Sequence, residues 1–145
     1  MSAKKYFTKQ QLDDIKSSVQ SAELNTSGEI RVHIEVACKA DVLDHAAYLF
    51  EKLGMSKTAL RNGVLIYLAI KDRKFAIIGD AGMNTKVPAD FWDKAKSIML
   101  SDFKEGRFTE GLCKAVLLAG EQLKQFFPHQ ADDINELPDE VSFKN

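Results

Sequence analysis

Hydrophobic and polar positions along the chain predict three strands. Between residues 29 and 36 they alternate, which predicts a strand with one apolar face and one polar or partly covered face. Residues 64–70 are apolar without interruption, which is typical of a strand buried on both faces. A polar turn at 71–74 leads into another apolar run at 75–78, so the two runs predict a β-hairpin. The polar positions of the first strand are Glu29, Arg31, His33 and Glu35.

Apolar residues at three- and four-residue spacing predict four helices. The first covers roughly residues 8–22 and starts at a capping box made by Thr8 and Gln11. The second starts after Asp41, whose side chain can cap it, and stops at Gly54. Its predicted buried stripe is Leu43, Ala46, Leu49, Phe50 and Leu53.

Proline and glycine set the limits of the last two helices. Pro88 stands where the first turn of the third helix is expected, and Gly106 ends that helix. The fourth helix starts at Thr109 and is closed by Pro128. Residues 79–84, before the third helix, are predicted to be a loop. The expected core residues are Phe91, Ala95, Ile98 and Met99 in the third helix and Leu112, Val116, Ala119, Leu123 and Phe126 in the fourth.

The element order, α-β-α-β-β-α-α, predicts an α/β fold. The helix between the first two strands is long enough for parallel pairing, whereas the hairpin makes the third strand antiparallel to the second. Because the second strand is apolar on both faces, helices must cover both sides of the sheet. We therefore expect a three-layer α/β/α sandwich with a small mixed β-sheet.

Composition narrows the class of protein. The chain has 145 residues, 45% hydrophobic and 28% charged, which suits one globular domain with its own core. A net charge of −1 lacks the basic excess of a nucleic-acid-binding surface. No apolar run approaches the roughly 18 residues of a membrane span, and no apolar leader is visible, so we expect a cytoplasmic protein without a membrane partner. Cys38 and Cys113 form no metal or disulfide pattern and are expected to be small buried residues.

The end of the chain differs in charge from the rest. We divide the chain into a body, residues 1–128, and an acidic C-terminal tail, residues 129–145. The tail has five acids against one base, Lys144, so the body carries a net positive charge. No periodicity predicts an element in the tail. Its acids are Asp132, Asp133, Glu136, Asp139 and Glu140, and its apolar residues, expected to pack weakly on the body, are Ile134, Leu137, Val141 and Phe143.

Short segments in a fixed order resemble one known family. They are Ser27-Gly28-Glu29-Ile30, His45-Ala46-Ala47, Thr58 with Arg61-Asn62-Gly63-Val64-Leu65-Ile66, Gly79-Asp80-Ala81-Gly82, Val87 with Trp92, Phe103 with Gly106, Gly111-Leu112 and Phe127-Pro128. Over residues 5–128 their order and spacing resemble the TPM domain family, which includes a thylakoid-lumen acid phosphatase and photosystem II repair factors.

This resemblance implies an α/β/α sandwich with a shallow crevice near the carboxyl ends of the strands. It also implies a cofactor there, a divalent cation, usually Ca²⁺ or Mg²⁺, held by loop oxygens. Family members are typically exported and often carry a trailing membrane helix, whereas this sequence resembles the stand-alone domain. Phosphatase activity is attached to a few members.

Five residues are candidate cation ligands. Asp80 follows the third strand between two glycines, where a carboxylate can approach a cation closely; its alternative role is to bond its own backbone in a turn. Asp41 and Asp44 follow the first strand and would meet Asp80 if that strand neighbours the hairpin; their alternative role is helix capping. Asn84 would add an amide oxygen, and Glu35 a carboxylate from the polar side of the first strand.

Other polar residues have less direct roles. Arg61 is a possible contact for a phosphate or carboxylate, although it stands at the end of the second strand away from the carboxyl ends. We expect His45 to be a half-buried histidine with one hydrogen bond rather than a general acid. Asp102 and Glu105 are expected on a solvated helix face.

Three functions follow from these observations. The leading hypothesis is a cation-binding regulatory or interaction module, whose loops order when calcium or magnesium binds and which acts on an unidentified protein partner. The alternative is a metal-assisted acid phosphatase acting on phosphomonoesters, for which the sequence offers no obvious paired nucleophile and base. A third possibility is a metal-free scaffold that binds a partner through its tail or its polar strand face.

Overall fold

The protein folds around a four-stranded sheet with helices on both faces. The computed structural model describes residues 3–129, 139 and 141–143. The strands are β1 (Glu29–Glu35), β2 (Gly63–Ala69), β3 (Lys74–Gly79) and β4 (Ser142–Phe143). The helices are α1 (Lys9–Glu23), α2 (Val42–Lys52), α3 (Ala81–Asn84), α4 (Phe91–Phe103) and α5 (Phe108–Phe126), with short 3-10 turns at Ala3–Tyr6 and Met55–Lys57.

The strands lie in the order β3-β2-β1-β4. β1 and β2 are parallel from the pair Glu29 and Gly63 to the pair Glu35 and Ala69. β3 is antiparallel to β2, and β4 runs parallel to β1 on its other side. The predicted α/β fold, with its parallel crossover and antiparallel hairpin, is therefore confirmed.

The sheet separates two hydrophobic clusters. The larger one lies between the sheet and α1, α4 and α5, and the smaller one lies between the sheet and α2. β2 is buried along its whole length because its side chains enter both clusters in turn. None of the described helices combines the length and hydrophobicity needed to cross a bilayer.

Several predicted helix limits are confirmed. Thr8 and Gln11 form the capping box of α1, in which the Gln11 backbone N–H donates to Thr8 Oγ1 over 3.0 Å. Asp41 caps α2 by accepting from the backbone N–H groups of Leu43 and Asp44. Gly54 and Gly106 end their helices with φ values of 73° and 78°, a conformation that glycine adopts at little cost.

Other expectations for the helices are wrong. α4 begins at Phe91 rather than near Pro88, because a separate turn, closed by the Phe91 N–H and the Pro88 carbonyl, comes first. Leu43 is 47% exposed, since the buried stripe of α2 starts at Val42 and then continues through positions 46, 49, 50 and 53. The expectation of a solvated Asp102 is also wrong: it is only 2% exposed and bonds Arg107 and Lys114 where α5 folds back on α4.

Two elements have no counterpart in the sequence prediction. The predicted loop at 79–84 contains the one-turn helix α3, which Asp80 caps. β4 lies within the predicted acidic tail, and its two residues are too few to show a period. Val141 and Phe143 pack on the larger cluster, as expected. Ile134, Leu137, Lys144 and the acids Asp132, Asp133, Glu136 and Glu140 lie outside the described residues.

Candidate functional site

The candidate residues lie at opposite ends of the sheet. The backbone N–H of Asp80 donates to the carbonyl of Gly63, which places Asp80 at the start of β2. Glu35 pairs with Ala69 at the other end of that strand. A seven-residue strand separates these positions by about 20 Å. The expectation that the loop carrying Asp41 and Asp44 meets Asp80 is therefore wrong, because an antiparallel β3 returns the chain to the amino ends of β1 and β2.

Asp80 is bound by Arg61 at the amino end of β2. Arg61 donates from Nε to Oδ2 and from Nη2 to Oδ1, both over 2.7 Å, and the Ala81 backbone N–H also donates to Oδ1 over 2.7 Å. Asp80 is 7% exposed, whereas the Arg61 side chain is about half exposed. The hydrogen bond to Asp80 raises the pKa of Arg61. A cation could therefore bind Asp80 only by displacing Arg61.

Close backbone packing builds this ion pair. A Cβ on Gly82 would overlap the carbonyl of Leu60 and lie 2.6 Å from that of Arg61, so glycine allows α3 to touch this loop. Arg61 itself has a positive φ of 52°. Asn84 Nδ2 donates to the Gly79 carbonyl over 2.9 Å, within the same turn.

Segments that carry the family resemblance meet at this end. Asn62 is buried, its backbone N–H donates to Thr58 Oγ1 over 3.2 Å, and its Nδ2 lies 3.5 Å from Ser27 Oγ. Ser27, Asn62 and Asp80 come from three separate segments of the chain. These segments therefore form the connections at the amino end of the sheet.

A second polar cluster surrounds Glu35 at the carboxyl end of β1. Glu35 is 3% exposed. Its Oε1 accepts from the hydroxyl of Tyr67 and lies at hydrogen-bonding distance from His45 Nε2, both over 2.8 Å. Its Oε2 lies 3.1 Å from His33 Nε2. The alternation of β1 points His33 and Glu35 to the same face, and the register of β2 adds Tyr67 directly beside His33. We call these four residues the Glu35 cluster.

The environment of the Glu35 cluster fixes its charges. Burial opposes ionisation of Glu35, but hydrogen bonds from Tyr67, His33 and His45 outweigh it and lower the pKa of this carboxyl. Burial lowers the pKa of His33, which the hydrogen bond to Glu35 opposes only in part. Burial and the hydrogen bond to Glu35 raise the pKa of Tyr67. At neutral pH the cluster therefore contains a carboxylate, a protonated phenol and a neutral His33.

The surface loops beside the Glu35 cluster are joined by charged groups. Lys74 Nζ donates to the carbonyls of Cys38 and Ala40 over 2.9 and 3.5 Å. Asp72 Oδ2 accepts from the Cys38 backbone N–H over 2.9 Å. Asp41 Oδ1 accepts the two backbone N–H groups that begin α2, over 3.1 and 3.0 Å. An ammonium group thus already lies among main-chain oxygens at the carboxyl end of the sheet.

Sequence reasoning missed part of this arrangement. In the sequence, Asp72 and Lys74 indicate only a polar turn, and Tyr67 is one residue of an apolar strand. His45 does have the expected half-buried position with one hydrogen bond, to Glu35. The alternation of β1 already placed His33 beside Glu35, but the partners from β2 and α2 depend on register. Within residues 3–129, 139 and 141–143, no three His, Cys, Asp or Glu side chains form a group that could hold a metal.

Comparison with solved structures places this fold among known domains. The chain is similar to BA42 from the psychrophilic bacterium Bizionia argentinensis, with 43% identity, 97% of both chains covered and a TM-score of 0.89. It shares its fold with the N-terminal domain of cg2496 from Corynebacterium glutamicum, with 11% identity, 83% of this chain and 76% of that chain covered, and a TM-score of 0.67. An N-terminal domain from P. gingivalis also shares it, with 19% identity, coverages of 86% and 82%, and a TM-score of 0.69.

Sequence comparison gives the family. No curated protein matches the chain. The family model of the TPM domain matches residues 2–122, which include α1 to α4, β1 to β3 and α5 up to its last turn. With this match and the α/β/α architecture described above, the chain belongs to the TPM domain family.

Proposed function

We propose that this TPM domain is a cation-responsive binding module, in which calcium or magnesium binds the loops at the carboxyl end of β1 and β2. The observation that carries the proposal is the position of Lys74 Nζ, 2.9 Å from the Cys38 carbonyl and 3.5 Å from the Ala40 carbonyl. Main-chain carbonyls that converge on a positive charge are ligands that hard cations use. A divalent cation would replace the ammonium group.

Exposed carboxylates supply the remaining ligands. Asp72, which accepts from the Cys38 backbone N–H, and Asp41, which follows Ala40 in the chain, are exposed, and each uses only one carboxylate oxygen in a hydrogen bond. Asp44, in the first turn of α2, is exposed as well. Glu35 is not part of the proposed ligand set, since three donors already surround its carboxylate. With few charged ligands and one resident ammonium group, we expect a dissociation constant on the order of 10⁻⁴ to 10⁻³ M.

Such an affinity suits a regulatory or interaction role. Binding would release Lys74 and draw together the loop before α2 and the turn between β2 and β3. A protein partner that contacts both loops would then distinguish the cation-bound domain from the free one.

A calcium titration followed by backbone amide NMR tests the proposal, with magnesium second. We expect shifts confined to residues 36–45 and 70–74. Asp72→Asn should weaken binding, whereas Lys74→Met, which keeps the side-chain stem but removes the competing charge, should tighten it. Asp93→Asn, an exposed aspartate on α4, is the matched control and should bind as the wild type does.

Two results would contradict this site. Unchanged amide resonances at millimolar calcium and magnesium would remove the cation from the function. Shifts confined to residues 79–84, lost in Asp80→Asn, would instead move the site to the amino end and require Arg61 to release Asp80.

One observation favours phosphomonoester hydrolysis as a second candidate. His45 is 22% exposed, and its Nε2 lies 2.8 Å from the buried carboxylate of Glu35. A carboxylate that orients a partly exposed histidine is one arrangement that general acid–base catalysis uses. If the domain hydrolyses a generic phosphomonoester, His45→Gln should abolish turnover while His129→Gln retains it. Equal turnover in both variants would exclude the His45 mechanism.

A further inference from the structure

The C-terminal strand brings a hydroxyl group to the Glu35 cluster. Ser142 pairs with His33 across the parallel β4 and β1 strands. Its Oγ lies 2.7 Å from His33 Nδ1 and 3.3 Å from the carbonyl of Val32. On the other side of the same ring, His33 Nε2 lies 3.1 Å from Glu35 Oε2. The imidazole, which is 3% exposed, therefore joins β4 to the buried carboxylate.

The hydrogen positions follow from counting donors and acceptors. An ionised Glu35 only accepts hydrogen bonds, so His33 Nε2 must carry a proton to face it. A neutral His33 then presents a lone pair at Nδ1. Ser142 is the only described residue with a hydrogen bond to that atom. Its single hydroxyl proton can serve either Nδ1 or the Val32 carbonyl, and the 2.7 Å contact with Nδ1 is the better of the two.

The other neutral tautomer conflicts with the geometry. A proton on Nδ1 would leave the lone pair of Nε2 facing Glu35 Oε2 across 3.1 Å. Both atoms are nearly excluded from water, and two acceptors cannot bond each other. Each would therefore carry its unfavourable free energy of desolvation without a compensating hydrogen bond. Glu35 therefore selects the Nε2–H tautomer, which is the form that needs a donor at Nδ1.

We infer that Ser142 is a positioning residue of the Glu35 cluster: the C-terminal strand donates a hydrogen bond to His33 Nδ1 and thereby holds the imidazole that orients Glu35. The hydrogen-bonded series runs from Ser142 through His33 and Glu35 to the partly exposed His45. Docking of β4 is thus linked to the geometry of a cluster on the other side of β1. This hydrogen bond requires neither a bound cation nor a catalytic role for His45.

Two matched variants separate the hydroxyl group from the strand. Ser142→Thr keeps the hydroxyl, and Ser142→Val has the same branched shape without it; both residues favour strands. Long-range ¹H–¹⁵N spectra of the histidine rings report the tautomer and the hydrogen bonding of Nδ1. We expect wild-type His33 to be the Nε2–H tautomer. Its Nδ1 resonance should move downfield in Ser142→Val and stay in place in Ser142→Thr.

Docking of the strand is measured in the same samples. Nuclear Overhauser effects between the Phe143 ring and the Ile34 methyl groups should persist in both variants. An Nδ1–H tautomer in the wild type would overturn the inference directly. So would an unchanged Nδ1 resonance in Ser142→Val with these contacts retained, because another group would then supply the donor.

Discussion

Arg61 and Asp80 form a bidentate ion pair that joins the start of β2 to the end of β3, with both N–O distances at 2.7 Å. The carboxylate is buried while the guanidinium is half exposed. Opposite charges from two turns are thereby fixed in one geometry, in which Asp80 also caps α3. The pair therefore links the hairpin and the loop before β2 as one structural unit.

We predict that Arg61→Ala destabilises the fold, because it leaves the buried Asp80 carboxylate without its ionic partner. Urea denaturation should show a lower midpoint with an unchanged slope. Lys94→Ala is the control, since it removes an exposed ion pair with Asp90 and should cost no more than about 0.5 kcal/mol. In a double-mutant cycle Arg61→Ala and Asp80→Ala should be strongly non-additive; simple additivity would mean that the pair does not couple them.

Gly82→Ala should separate α3 from the loop before β2. The added methyl group would overlap the Leu60 carbonyl and lie 2.6 Å from the Arg61 carbonyl, and backbone atoms cannot move aside cheaply. We expect a loss of at least about 1–3 kcal/mol in the free energy of unfolding. Gly106→Ala is the comparison, because there a methyl group meets nothing within 4 Å and only the positive φ of 78° opposes it. An equal or smaller loss in Gly82→Ala would argue against this contact.

Asp102 should contribute to stability only while it is ionised. Lys114 Nζ, 2.9 Å from Oδ2, and Arg107 Nε, 3.0 Å from Oδ1, lower the pKa of Asp102 below its usual 3.8. Because the folded-state pKa is the lower one, this contribution is present above the unfolded pKa and is lost as the pH falls. Asp102→Asn should cost about 1–3 kcal/mol at neutral pH and reduce the loss of stability on acidification. Asp93→Asn on the same helix should do neither.

Glu23 is expected to make the protein less stable as the pH rises. Its Oε2 accepts from the Ile30 backbone N–H over 2.7 Å. Burial, together with a hydrogen bond to Asp139 and the nearby charge of Glu29, raises its pKa from 4.5 to about 10. A raised folded-state pKa means that the folded protein holds a proton that the unfolded chain releases, so stability falls between these two values.

Glu23→Gln tests this dependence, because the amide can keep both hydrogen bonds without ionising. Urea midpoints of the wild type should fall from about pH 6 to about pH 9, and the variant should lose most of that slope. Glu121→Gln, on the exposed side of α5, is the control, and its urea midpoints should follow those of the wild type at each pH. Parallel pH profiles for Glu23→Gln and the wild type would show that Glu23 is ionised in the folded state.

Local patterns were sufficient for most elements. The capping box at Thr8, the Asp41 cap and the uninterrupted apolar run of β2 each depend on neighbouring residues, so the sequence alone predicted them. The site was harder to predict. Asp80 and Asp41 have the same chemistry in the sequence, yet one binds Arg61 at the amino end and the other caps a helix at the carboxyl end. The antiparallel direction of β3 separates them, and the predicted hairpin already implied that Asp80 follows β3 at the amino end of β2.

The sequence by itself determined the α/β/α architecture and the family, because hydrophobic periodicity and turn residues act over a few positions. Only the tertiary structure decided which polar groups meet. Tyr67 bonds Glu35, 32 residues away in the chain, because of the register of two strands. Ser142 contacts His33, 109 residues away, because β4 docks beside β1. These contacts depend on pairing between distant segments, where a shift of one residue turns every side chain to the opposite face.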